Sequence, residues 1–402
     1  MKLPVYFDYQ ATTPTDPRVL EAMLPYFTDQ FGNPHSTQHA RGRAAAAAVE
    51  QAREQVAELI GATRPEIVFT SGATEANNLA LRGVLGSQAS RRWHVITCQT
   101  EHPSVLEVAR QLEREGGRVT YLPVRPNGLI DLGELAQAID AETVLVSIMA
   151  VNNEIGVIQP LAAIGELCRA RGVLFHTDAA QAAGKIPLDV ERQHIDLMSL
   201  SAHKLYGPKG IGALYVRRGL GRLEPVLRGG GQERGLRSGT LPTPLCVGFG
   251  VACAIVQREL SSEAERLTEL RKALLAGIQQ RVPGVILNGD PDQRSPGNLN
   301  LSFPYPGVDG ESLLLELPEL AVSTGSACAS ASSEPSHVLR ALGRDDELAD
   351  ASLRFGLGRF TTQEEVAFAI SLFSRLRSRG EVPQSRRRTR SGGQGPLRTR
   401  AE

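Results

Sequence analysis

VLFHTDAAQ, residues 173–181, and SLSAHKLYGPKGIG, residues 199–212, each run from a short apolar segment into small and polar residues. Segments 173–177 and 195–199 read as buried strands, and each delivers a polar side chain at or just beyond its end: Asp178 from the first, Lys204 from the second. Ligands of open α/β sheets bind beyond the carboxyl ends of the strands. Asp178 in that place suits a cationic ring nitrogen; its competing role is a helix N-cap, which Asp fills well. Lys204 lies in a segment too apolar for open surface. There a Lys tends towards a depressed pKa and can form a Schiff base, although the commoner fate of a Lys is to snorkel to solvent. Ser201 and His203 flank it, placed to reach a phosphate.

Working outward, further apolar runs at 67–70, 94–98, 119–123, 144–149 and 211–216 are each bounded by polar or Gly-rich punctuation. Residues 44–60 and 161–171 carry apolar stripes at helical spacing. Strands alternating with helices predict an α/β domain around a mostly parallel, covered sheet. TSGATEA, residues 70–76, follows one strand and precedes a helix. Its small residues suit either an anion held at a helix N-terminus or a plain capped turn. No GxGxxG or GxxxxGK[ST] pattern occurs. Residues 228–245, rich in Gly, Arg and Ser, read as a long ordered loop, and such loops are often functional. Ser262 and Glu265 form a capping-box pattern that is expected to open a second domain. The expected division is a large domain at 15–260 and a smaller α+β domain from 1–14 with 261–376. Segment 380–402 has little to bury and is expected to be disordered.

The 402 residues are 41% hydrophobic and 22% charged, which excludes collagen-like and wholly disordered classes. No uninterrupted apolar run approaches membrane-spanning length. The start, MKLPVYFDYQ, has neither signal-peptide nor transit character, so a cytoplasmic location is expected. Net charge is zero but uneven, since nine arginines and only two acidic residues lie from Arg375 onward. A solvated tail is expected there, with no nucleic-acid partner. Five cysteines without CxxC spacing form neither a disulfide framework nor a zinc ribbon. Cys98, Cys168, Cys246 and Cys253 sit in apolar settings and are expected to be buried. Cys328 instead lies in STGSACASAS, residues 323–332, a run of small residues without apolar periodicity.

An anion-binding turn, a strand-end Asp and, about 25 residues later, a strand-end Lys are the parts that pyridoxal phosphate requires. With FGNPHS, TEHPSVL, VNNEIGVIQP, RSGTLP, GSACASASSEPSHVLRALG and LRFGLGRFT added, the chain resembles the NifS/IscS-like cysteine desulfurases, with the housekeeping iron–sulfur-cluster type most similar. These are class-V aminotransferase-family enzymes of fold type I. The resemblance runs from residue 1 to about 375.

It implies a large domain with a mostly parallel sheet, a smaller α+β domain, and pyridoxal 5'-phosphate as cofactor. It implies that Lys204 is the Schiff-base lysine, that Asp178 pairs with the pyridine nitrogen, and that His102 stacks on the ring and takes part in proton transfer. Gln181 would bond the ring hydroxyl, while Ala73, Thr74, Ser201 and His203 would hold the phosphate. Thr240 would reach the phosphate of a second subunit, making a homodimer with shared sites. Asn153 and Arg354 would hold the carboxylate of L-cysteine, which suits the planar Arg fork. The Cys328 thiolate would take the substrate sulfur as a persulfide, leaving L-alanine, and pass it to an iron–sulfur scaffold protein or another acceptor. No resident metal is implied, though Cys328 could serve as a transient iron–sulfur ligand. Segment 380–402 does not resemble the ordered tail with which close relatives dock a scaffold. Selenocysteine lyase or direct C–S lyase activity is the alternative on the same cofactor, and a non-enzymatic sulfur-relay partner is the alternative in another class. Neither lyase requires a thiol carrier like Cys328, and a relay partner would not require Lys204, Asp178 and His102.

Overall fold

The computed structural model describes residues 1–86, 93–221, 223–305, 307–324 and 334–378, with side chains in the last helix described as far as 374. Cys328 and the segment 380–402 lie outside the described residues.

The large sheet contains β1 (Ile67–Thr70), β2 (His94–Cys98), β3 (Arg118–Leu122), β4 (Thr143–Ser147), β5 (Leu174–Asp178), β6 (Leu197–Ser201) and β7 (Gly212–Val216). Its order is β1-β7-β6-β5-β4-β2-β3. All neighbours are parallel except at β7, which is antiparallel to both β1 and β6. The second strand expected around the site starts two residues later than the apolar pattern suggested, so Ser201 closes β6 rather than following it. The cause lies at its start. Asp196 gives its carboxylate to Phe175 N and Arg217, and so occupies the strand's entry.

Side chains alternate across the pleat. Phe69 enters a core with Val56, Phe175, Met198 and Phe249, while Val68 enters the opposite one with Leu79, Val95 and Leu214. Helices α1 (Ala40–Leu59), α2 (Ala73–Gly86), α3 (Pro103–Arg114) and α4 (Leu161–Arg171) bring apolar residues to these cores.

Helix α5 (Thr243–Arg281) corrects one expectation. Ser262 does not cap a new helix. It lies inside this 39-residue helix and returns its hydroxyl to Glu259 O at 3.1 Å, a back-bond open to any mid-helix Ser. The helix is also long and apolar enough, by composition, to cross a membrane. Here Cys246, Phe249, Ala252, Cys253 and Val256 are buried in the large core, as in the core helix of a globular enzyme.

The far end of α5 enters a separate core. Leu267, Leu274 and Ile278 meet Phe7, Leu301, Phe303, Phe355 and Phe373, with the Phe303 and Phe373 rings stacked 6.0 Å apart. A four-stranded antiparallel sheet backs this core: β8 (Ile286–Leu287), β9 (Asn298–Ser302), β10 (Ser323–Thr324) and β11 (Ser352–Gly356), in the order β10-β11-β9-β8. Helices α6 (His337–Ala341) and α7 (Gln363–Ser378) follow β10 and β11. The N-terminal segment pairs Val5–Tyr6 with Leu320–Ala321, then crosses to the large sheet, where Thr13 N bonds His203 O.

Candidate active site

Parallel neighbours β5 and β6 end side by side, and both expected side chains emerge there. Asp178, the last residue of β5, is buried. Its Oδ2 accepts from Asn77 Nδ2 at 2.7 Å and its Oδ1 from Ala180 N at 2.9 Å. It bonds the next turn and places a carboxylate in the cleft. Lys204 follows β6 in the turn Ala202–Lys204. It does not snorkel: Nζ donates inward to Gln10 O at 2.6 Å and Ala11 O at 2.7 Å.

The cleft measures about 420 Å³, and Ala73, Thr74, His102, Asn153, Asp178, Gln181, Ser201, His203 and Lys204 all line it. One end is the N-terminus of α2, where the helix dipole favours an anion. Gly212 makes this turn possible. A Cβ there would lie 2.4 Å from Leu200 O and 2.7 Å from the Gly72 Cα, so any side chain would push the turn away. Ser71 N is taken by Glu75 Oε2 at 2.7 Å, and Arg237 neutralises that carboxylate at 2.8 Å. His203 is held down to about 4 by burial first, then by Lys204, Lys209 and Lys185. It is thus a neutral imidazole, with Nδ1 3.0 Å from Thr12 Oγ1.

Across the cleft, Gln181 donates to Gln10 O at 2.8 Å and accepts from Lys185 Nζ at 2.6 Å. Burial, with Lys204 and Arg354 nearby, brings Lys185 down to about 7. His102 caps α3 and has a lowered pKa, chiefly through burial. Arg354 stands behind Asn153 rather than in the cleft lining. Its guanidinium bonds Asn153 O at 2.9 Å and Asp8 Oδ1 at 2.8 Å, and its buried Nε has no acceptor among the described residues. Thr240 is exposed and does not line the cleft.

Sequence reading missed Gln10 and Thr12, which reach the site from the chain's start, and Asn77, Ser104 and Lys185. Gln10, Thr12 and Asn77 act through partners distant in sequence; Ser104 and Lys185 lie near theirs, His102 and Gln181, but neither residue type marks the role by itself.

These groups fit pyridoxal phosphate. A helix N-terminus with Thr74, Ser201 and a neutral imidazole suits the phosphate, a buried carboxylate suits the ring nitrogen, and an inward amine suits the aldehyde. A mostly parallel sheet presenting this set at adjacent strand ends defines a fold type I pyridoxal-phosphate enzyme.

The aminotransferase class-V family model matches residues 5–368. A mouse protein named cysteine desulfurase is 59% identical over 366 residues, spanning 91% of this chain and 79% of that protein. Cysteine desulfurase IscS from Rickettsia bellii is 58% identical over 371 residues, spanning 92% and 90%. Among solved structures, a NifS-like protein superposes with a TM-score of 0.86 at 39% identity, covering 93% of this chain and 99% of its own. A structure described as SspA in complex with cysteine gives 0.80 at 40% identity, covering 89% and 100%. The chain belongs to the class-V aminotransferase family and, within it, to the cysteine desulfurases.

Proposed function

We propose that this pyridoxal-phosphate enzyme converts L-cysteine to L-alanine and captures the sulfur on Cys328 as a persulfide for iron–sulfur cluster assembly and other acceptors. The observation that carries the reading is the pairing of Asp178 and Lys204 at adjacent strand ends, with Lys204 turned inward. Pyridoxal phosphate, when bound, supplies an electron sink conjugated to the substrate's α-carbon. Asp178 keeps the ring nitrogen protonated. Ala73, Thr74, Ser201 and His203 bind the phosphate, and His203 does so as a neutral donor. Gln181 orients the ring hydroxyl, with its own carbonyl fixed by Lys185. Lys204 binds the aldehyde and, once displaced by substrate, moves the proton at the α-carbon. Asn153 and Arg354 bind the substrate carboxylate, and the buried Arg354 Nε is a donor suited to it.

Four other thiols compete for the nucleophile's role. Cys98, Cys168 and Cys246 are pushed up to about 12 by burial, and Cys253 is raised by the same cause. Such thiols stay protonated and inert, which leaves Cys328. We further propose a homodimer in which Thr240 completes the partner's phosphate site. The two cores support a division into domains at 15–260 and at 1–14 with 261–376. Four buried free cysteines suit a reducing compartment, here proposed as the cytoplasm.

The test is a paired assay of alanine and sulfide from L-cysteine with a reductant. Wild type should release both in equal amounts, and Cys328→Ser almost no sulfide. Full activity in the variant would make the chain a direct lyase.

A further inference from the structure

We propose that Ser104 and Asn77 fix His102 as a neutral imidazole carrying its hydrogen on Nε2, so that it presents a donor to the cleft and takes no proton there. The inference rests on the ring-stacking place given above to His102 and the ring-nitrogen role given to Asp178, and it departs from the proton-transfer role that the resemblance implies for His102.

Every hydrogen-bond direction in the chain is forced. The Ser104 backbone nitrogen has one hydrogen and no lone pair to offer, and it lies 3.1 Å from His102 Nδ1. Nδ1 is therefore an acceptor and the hydrogen resides on Nε2. Ser104 Oγ, 2.8 Å from the same Nδ1, must then donate to it. Its lone pair accepts from Asn77 Nδ2 at 2.9 Å, and the second Nδ2 hydrogen goes to Asp178 Oδ2 at 2.7 Å. Asn77 is fully buried, so this relay is sheltered from competing water. One run of hydrogen bonds thus sets both the stacking histidine and the ring-nitrogen carboxylate.

An Nε2–H imidazole has one basic lone pair, at Nδ1, and here it faces two donors. Protonating it would set N–H against N–H. The surroundings add to this. His102 caps α3, whose N-terminal dipole disfavours a cation. Lys204 and His337 also oppose a charge and Asp178 favours one, while Glu101 turns its carboxylate to Met149 N. Ser104 and Asn77 are positioning residues, and the proton at the substrate's α-carbon is left to Lys204.

The test uses full-length holoenzyme labelled with 15N-histidine, with His102→Gln to assign the signals. Between pH 6 and 9, wild-type His102 should show bare Nδ1 and protonated Nε2 throughout. Ser104→Ala keeps the backbone donor and loses the hydroxyl. It should lower kcat for L-cysteine about tenfold, the effect of roughly one hydrogen bond, with KM little changed. Easier protonation of Nδ1 should also move the acid limb of the pH profile up by roughly one unit. Ser104→Thr should restore both. A protonated Nδ1 in the wild type, or a Ser104→Ala profile matching wild type at an unchanged melting temperature, overturns the proposal. Loss of the desulfurase reading would show differently, as wild-type holoenzyme with this tautomer that releases no alanine.

Discussion

On the wall built by the large sheet, Lys204 and Asp178 are held by groups that carry no charge: the carbonyls of Gln10 and Ala11, the Asn77 amide and the Ala180 N–H. On the side facing the small core, buried ionisable groups take part. Arg354, only 1% exposed, leans on Asp8, and buried Glu154 accepts from Ser336. Burial raises Glu154 to about 7 against the pull of Ser336 and Arg354. Neutral dipoles hold Lys204 and Asp178 in the same way across pH, whereas buried ionisable groups change the energy of their surroundings with every proton gained or lost.

Lys204→Ala gives the largest expected effect. Activity should fall at least about 10³-fold, as for loss of a covalent catalytic group, and the absorbance of lysine-bound cofactor should vanish. Retained absorbance would move the Schiff base elsewhere and undo the comparison at its fixed side.

Arg354→Lys should come next. A compact ammonium cannot reproduce the planar fork that spans Asn153 O and Asp8 and that is proposed above to bind the substrate carboxylate. Loss of a charge-assisted bond worth about 2–3 kcal/mol should reduce kcat/KM by roughly 10²-fold, with cofactor affinity measured by titration unchanged. A drop in cofactor affinity would show that the two walls are not separable.

Glu154→Gln has the smallest effect, on stability. A carboxyl raised from 4.5 to about 7 in the folded state contributes stability fully present below pH 4.5. That contribution is lost as pH climbs to about 7. Relative to Glu154→Gln, wild type should therefore lose up to about 3 kcal/mol between those limits, and no more above them. Urea unfolding midpoints at pH 5, 6, 7 and 8 measure this directly. Parallel curves for the two proteins would place Glu154 outside the titrating wall.

The strands and Asp178 were legible because a buried parallel strand must be apolar along its length, which makes its polar end conspicuous. Helix 161–171 was legible for the analogous reason, a stripe of period 3.6 ending at Gly172. The long α5 was not. Ser262 and Glu265 carry the local pattern of a helix start, but packing of both halves of α5 into the two cores keeps the helix continuous. Local capping is worth about 1 kcal/mol and yields to burial of that extent.

By itself the sequence determined the class of fold and marked Lys204, Asp178 and the turn at 70–76 as candidates, since each is written in a short continuous segment whose chemistry is local. Only the tertiary structure decided what orients them. Gln10 and Ala11 meet Lys204, Asn77 and Ser104 join His102 to Asp178, and Asp8 meets Arg354. The physical reason is that a hydrogen bond requires its partners within about 3 Å in space and requires nothing of their separation along the chain.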